Sequence, residues 1–270
     1  MSFAFDHLVH FVEEPKDAIA QLKENGIYAA EGGVHQNRGT YNALSYFDLS
    51  YIEFLSTYDR ELVKKTQHPA HSLVGTIVQD DFIEGFSRIA IRTTDIEKDA
   101  QFFRDKGLTV NGPVSMNRKR PDNSVIDWQL LYVGDENGEL ELPFIIQWNE
   151  SDEERRADLI EREVITTHPS GVSFSHVNFA VRDLQSTVKK WSELLGLPAG
   201  EEYMDEELQA TSQALHLPGG NLVFSSPIGE GVVSSVLKNR GERPFKVTFA
   251  GGINNSTFSF LGGIYKIEKK

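Results

Sequence analysis

The sequence predicts an α+β protein of tandem βαβββ modules, with sheets curved into incomplete β-barrels and helices outside. Three observations predict it. An apolar run opens a unit three times: FDHLVHF at Phe5, FSRIAIR at Phe86 and FSHVNFAV at Phe174. A helical pattern follows each run and ends at Gly26, Gly107 or Gly196. Short β-rich runs separated by turn residues then follow each helix. Repeats this long are not solenoid repeats, which are built from much shorter units.

Each element has a local reason. The opening runs are apolar and end in polar residues, as strands do. The helices PKDAIAQLKENG, DIEKDAQFFRDKG and DLQSTVKKWSELLG carry apolar residues at helical spacing. Asp95 and Asp183 suit the N-cap, where a side-chain oxygen accepts from a free backbone N–H. The closing glycines suit the residue just past a helix. Module one continues with TYNALSYF, the turn DLS and YIEFLST. Module two continues with VIDWQLLYV, the turn GDENG and LPFIIQW. Module three continues with ATSQALHL, PGG and NLVFSSP. VVSSVLKNRG reads as a helix and PFKVTFAG as a strand, so a partial fourth unit begins near Arg240. Two linkers separate the units. One, from Thr57 to Asp81, is polar and helical and contains HPAH; the other, from Asn149 to Ser170, reads as a solvated, charged helix and a turn. These features divide the chain into a domain of two modules at 1–169 and a third module with the partial fourth at 170–270.

Composition narrows the function. At 270 residues, 39% hydrophobic and 25% charged, the chain can build real cores. Its net charge of -13 opposes sequence-independent binding of nucleic acid. There is no cysteine, so disulfides, thiolate metal sites and cysteine nucleophiles are excluded. No basic and apolar leader opens the chain and no apolar run spans a bilayer, so no membrane association and a cytoplasmic location are expected. The phosphate-loop ending GK[ST] and the nucleophile elbow GxSxG are both missing, so neither a nucleotide cofactor nor a hydrolase triad is expected.

The stretches DHLVH, GGVHQNRGTYNALSYF, YIEFLS, NRKRPD and LPFIIQW resemble the glyoxalase-like branch of the vicinal oxygen chelate superfamily, which includes glyoxalases, bleomycin-resistance proteins and dioxygenases. The resemblance covers about residues 5–150, and the third module resembles the superfamily more loosely. It implies a small-molecule enzyme of lyase, isomerase or dioxygenase-like type, with its site on the concave sheet face between modules one and two. The alternative on the same scaffold is a metal-free binding or sequestering protein.

In metal-dependent members of that superfamily, a His opens the first strand and a Glu lies on the last strand of each module. His7 and Glu53 stand at those places in module one and are the expected catalytic residues or ligands of a divalent metal (zinc, iron, manganese or nickel). Strand alternation puts His7 with Val9 and Phe11, and Glu53 with Tyr51 and Leu55. In module two the aligned residues are Arg88, which cannot normally coordinate a metal, and Gln147, a weaker ligand than a carboxylate. Two pictures stay open. His7, Glu53 and Gln147 hold a metal, or Arg88 pairs with Glu53 in its place. His35, Arg38 and Asn42 in the glycine-containing stretch, and Arg118 and Arg120 in the basic loop NRKRPD, supply groups for a small and anionic substrate. Trp128 is expected to frame the pocket. The remaining module covers the site, completes a barrel or forms a homodimer.

Overall fold

The computed structural model describes residues 2–35, 38–135 and 141–270. Residues 136–138 of the expected GDENG turn lie outside them. Module one consists of β1 (Ala4–Phe11), α1 (Pro15–Glu24), β2 (Ala30–His35), β3 (Thr40–Phe47) and β4 (Ser50–Thr57). Two short helices follow, α2 (Arg60–Lys65) and α3 (Leu73–Gln79). Module two is β5 (Gly85–Arg92), α4 (Ile96–Asp105), β6 (Thr109–Lys119), β7 (Val125–Gly134) and β8 (Phe144–Trp148), followed by α5 (Asp152–Glu161). Module three is β9 (Ser173–Ala180), α6 (Leu184–Leu195), β10 (Ala199–Asp205), β11 (Ala210–Leu215) and β12 (Asn221–Pro227). The chain ends with α7 (Val232–Arg240), β13 (Arg243–Gly252), β14 (Ser256–Phe260) and β15 (Gly263–Lys269).

The expected helix caps are present. Asp95 accepts from the backbone N–H of Lys98 and Asp183 from that of Ser186. β2, β6 and β10 complete the three βαβββ units; their glycine-rich or largely polar sequences gave no strand signal. GGVH therefore belongs to a strand, and so does most of NRKR, where the sequence suggested loops.

Modules one and two form a closed barrel in the order β1-β4-β3-β2-β6-β7-β8-β5. The two modules meet at an antiparallel β1–β5 pair, and the seam opposite consists of one residue pair, Val34 with Lys119. Gly33 makes that seam, and Gly32 beside it makes room for the Asn42 side chain. Gly33 has φ +149, and a Cβ on it would lie 2.2 Å from the carbonyl oxygen of Lys119. A Cβ on Gly32 would lie 2.1 Å from Asn42 Oδ1. Only residues without a side chain let the backbones approach so closely.

The remaining strands form an open sheet in the order β10-β11-β12-β9-β13-β15-β14. Its fourth unit repeats the parallel pairing of first and last strand (β13 with β15), but among the described residues it is one strand short of closure.

Alternation along the strands sorts two cores. Phe5, Leu8, Phe86, Ile89 and Ile145 face outward from the barrel and pack with Val177, Phe249 and Tyr265 of the second sheet. Phe5 stacks on Phe174 at 4.6 Å, and Phe47 on Phe249 at 4.7 Å. Each fully buried aromatic contributes about 1.5–3 kcal/mol, so this shared core holds the two sheets together. Val9, Phe11, Tyr51, Trp128, Leu130, Phe144 and Ile146 form the barrel interior.

Candidate functional site

The barrel interior is not filled. A cavity of about 100 Å³ is lined by His7 from β1, His35 from β2, Glu53 from β4, Arg118 from β6 and Trp128 from β7. Tyr51, Tyr132, Phe144 and Trp148 make an aromatic wall. Residues between Thr66 and Val74, from the α2–α3 segment, lie over the cavity, and the exposed Arg38 completes its rim. The polar linker of the sequence is thus a cover.

Glu53 is the only carboxylate among the described residues lining the cavity, and it is 7% exposed. Asn42 Nδ2 donates to its Oε1 at 2.5 Å, and His7 Nε2 lies 3.6 Å from its Oε2. That second separation is longer than a hydrogen bond. His7 Nδ1 is held by Asp6 Oδ1 at 2.7 Å, and its ring stacks on Tyr51 at 4.6 Å. Donation of Nδ1–H to Asp6 turns Nε2 toward Glu53.

Asp6 is fully buried and also accepts from Trp148 Nε1 at 3.0 Å and Arg155 Nη1 at 3.2 Å. Burial alone would raise its pKa, but the Arg155 charge and the His7 hydrogen bond outweigh burial and hold it well below the usual carboxylate range. Arg155 comes from α5, in the charge run that reads as a solvated helix. Its guanidinium is 4% exposed and lies 4.4 Å from the Trp148 ring.

The other expected residues separate into two groups. His35 lies in the cavity wall, with Nδ1 2.9 Å from Thr40 Oγ1, and burial pushes its pKa down to about 4, so it is neutral at pH 7. Arg118 is 4% exposed; its Nη1 donates to Asn42 Oδ1 at 3.4 Å, and its buried Nε has no partner among the described residues. Trp128 lies edge-on to His35 at 6.0 Å. Asn42 reaches the site through Glu53.

Three residues lie elsewhere. Gln147 points out of the barrel, because its neighbours Ile146 and Trp148 point in, and it accepts from the Ile96 N–H at 2.7 Å at the start of α4. Arg120 bonds Asp158 at 2.8 Å outside the barrel. Arg88 does not pair with Glu53. It donates to the carbonyls of His71 and Leu142, and its Nε lies 3.3 Å from Glu141. The residue paired with His7 across the module junction is Ala90, because an antiparallel pair carries equivalent residues in opposite directions.

A catalytic zinc site takes three protein ligands, and the donors here do not fit one. Gln147 is committed to α4, and Glu53 Oε1 and His7 Nδ1 already have partners. Among the described residues no three His, Cys, Asp or Glu side chains gather closely enough to hold a metal ion. Also among the described residues, no helix is long and apolar enough to cross a membrane.

No curated protein matches the chain. Among solved structures, a hypothetical protein from Staphylococcus aureus is similar at 24% identity and a TM-score of 0.81, over 99% of this chain and 100% of that one. A mutant of 4-hydroxymandelate synthase from Streptomyces coelicolor is similar at 10% identity and a TM-score of 0.58, over 93% of this chain and 71% of that one. Methylmalonyl-CoA epimerase from Mycobacterium tuberculosis matches at 14% identity and a TM-score of 0.41, over 54% of this chain and 89% of its own. These likenesses concern the fold alone. The model of the glyoxalase-like domain matches residues 5–199. The chain therefore belongs to the glyoxalase-like domain family.

Proposed function

We propose that the barrel cavity binds a small carboxylate that also carries a carbonyl, and that Glu53 removes a proton from the carbon beside that carbonyl. The reaction class is isomerase or lyase. The observation that carries this reading is the Glu53 carboxylate in the cavity wall, with Oε1 held by Asn42 and Oε2 left toward the cavity and His7. A base must be within hydrogen-bond reach of the proton it takes, and a fixed carboxylate in a covered cavity meets that need. Arg118 supports an anionic substrate, because this buried guanidinium has no direct ion pair among the described residues and reaches Glu53 only through Asn42. Arg38 at the rim adds a second cation.

In this reading the base takes the proton, and the enolate charge develops toward Arg118. His7 Nε2, oriented through Asp6, passes a proton between Glu53 and the substrate. The aromatic wall and the α2–α3 cover keep water from the enolate. The donors present do not fit a metal, so no step is routed through one.

The aromatic wall also favours a second reading, in which the cavity binds or sequesters a small molecule without changing it. One experiment separates the two. A set of small 2- and 3-oxo carboxylates is screened by thermal shift, and binders are incubated with protein in deuterated water and followed by NMR. We expect deuterium at the carbon beside the carbonyl with the wild type. With Glu53→Gln exchange falls at least a hundredfold, and the Kd changes only a few-fold. Binding without exchange in the wild type would favour sequestration. Exchange undiminished in Glu53→Gln would remove Glu53 as the base.

A further inference from the structure

We propose that Lys246 is a nucleophilic amine that captures small neutral aldehydes as a reversible imine, on the face of the second sheet turned away from the barrel. This site is separate from the barrel cavity and does not depend on the chemistry proposed there.

Strand alternation fixes the face. Val177, Val247 and Tyr265 pack in the core shared with the barrel, so their sequence neighbours Asn178, Lys246 and Lys266 point the other way. Register brings these residues together. Lys246 lies opposite Asn178 on β9 and Ile264 on β15, and Thr248 lies opposite His176 and Lys266. Helix α7 closes one end of this face, where Val233, Val236 and Leu237 pack with Ala180, Ala210 and Ile264. No strand joins β14 to β10 among the described residues, so the face is open on one side.

Lys246 is an anomaly there. It is 3% exposed, yet among the described residues its amine has no hydrogen bond and no ion pair. A lysine is seldom buried without a partner, because the desolvated charge is costly. The nearby carboxylates do not supply one. Lys266 Nζ holds Glu207 at 2.7 Å and Glu268 at 3.4 Å, and Asp205 on β10 acts on Lys246 from beyond ion-pair distance. The amine is also reachable. Asn178 Oδ1 and Thr248 Oγ1 beside it are sealed from solvent, whereas Lys246 Nζ is not.

Burial lowers the pKa of Lys246, and the Lys266 charge adds to this; Asp205, Glu207 and Glu268 oppose the shift without reversing it. A lysine so shifted carries more of the neutral amine, the form that attacks a carbonyl. The Nζ lone pair adds to the carbonyl carbon, a proton moves from nitrogen to the carbonyl oxygen, and that oxygen leaves as water. Amine and aldehyde thus give imine and water, with no oxidant or reductant. His176 adds no charge at pH 7, because burial pushes its pKa down to about 4. Three carboxylates against two amines oppose an anionic ligand, so the aldehyde is neutral. The apolar end at α7 suits a short alkyl chain.

The test treats the full chain with propanal and cyanoborohydride, which reduces an imine to a stable secondary amine, and reads each lysine by peptide mass spectrometry. We expect Lys246 to be alkylated several-fold faster than Lys65, whose side chain is 77% exposed, with a pH midpoint below that of Lys65. Lys246→Met should remove the fast adduct alone. In Lys266→Gln a neighbouring cation is lost and Glu207 and Glu268 are freed, which favours the charged form of Lys246. Its alkylation should then slow several-fold and its midpoint rise. A merely accessible lysine would show no such response. Glyoxylate, an anionic aldehyde, should react with Lys246 more slowly than propanal does, each measured relative to Lys65. The proposal is overturned if Lys246 reacts no faster than Lys65, if Lys266→Gln leaves its rate and midpoint unchanged, or if glyoxylate is its preferred aldehyde.

Discussion

Removing the Asp6 carboxylate tests the support of the site most directly. Asp6 is fully buried and serves three donors at once: His7 at 2.7 Å, Trp148 at 3.0 Å and Arg155 at 3.2 Å. In Asp6→Ala, Arg155 stays buried, keeps its hydrogen bond to the Leu49 carbonyl at 3.2 Å and loses its buried counter-charge. Breaking a buried ion pair from one side costs about 3–5 kcal/mol, most of it the penalty of the stranded charge. At about 2–4 °C per kcal/mol for a chain of this size, the thermal midpoint falls by roughly 6–20 °C. In the double variant Asp6→Ala/Arg155→Met the stranded charge is gone, so much of the loss returns. The coupling read from the double-mutant cycle is then at least about 2 kcal/mol. Urea unfolding of the four proteins measures it. A loss below about 1 kcal/mol in Asp6→Ala, or strict additivity in the double variant, would refute the reasoning. The same pair sets an acid limit. Because the folded pKa of Asp6 is depressed, its contribution is fully present above its unfolded value of about 4 and is lost as the pH falls toward the folded value.

Three further outcomes follow from the geometry. Arg118→Gln should weaken binding of an anionic ligand in the barrel cavity about tenfold or more, and by much less for an uncharged analogue, as calorimetry would show. Gly33→Ala should destabilise the chain by about 2–4 kcal/mol in denaturant unfolding, since its Cβ meets the Lys119 carbonyl at 2.2 Å and its φ of +149 disfavours any side chain; a neutral result would mean the seam is not held as described. Burial lowers the pKa of His10 and of His35 to about 4, so both fold as neutral rings. The unfolded chain then binds their protons first, and stability falls as the pH drops from about 6.5 toward about 4. His10→Gln should flatten that slope in unfolding curves taken across the range.

Much of the fold was readable because its signals are local. The three strand openings, the Asp95 and Asp183 caps and the alternation of Tyr51, Glu53 and Leu55 all depend on near neighbours in sequence. The errors come from features that are not local. Gln147 was matched to Glu53 by aligning strand ends, yet a slip of one residue exchanges the faces of a strand, and Trp148 is the residue that points inward. Arg88 aligns with His7, but Ala90 is the residue paired with His7, and the long Arg88 side chain goes to two backbone carbonyls instead. The role of α5 was hidden for a related reason. Arg155 looks like any other charge in NESDEERRADLIERE, and only the fold brings it to Asp6.

The contrast between the two sheets explains why one half has a deep cavity. Module three retains a first-strand histidine, His176, but Ser225 and Val223 stand on its last strand where a glutamate would be needed. The difference in enclosure is larger. Modules one and two supply eight strands, and Gly33 lets the ring close against β6. The fourth unit supplies only β13, β14 and β15, so the second sheet stays open at β10 and β14. Closure keeps water from Glu53 and Arg118, which are 7% and 4% exposed, and their charges then act at low dielectric. The second sheet contributes differently, by burying the outer face of the barrel through Phe174, Phe249 and Tyr265 and so fixing the strands that carry His7 and Glu53.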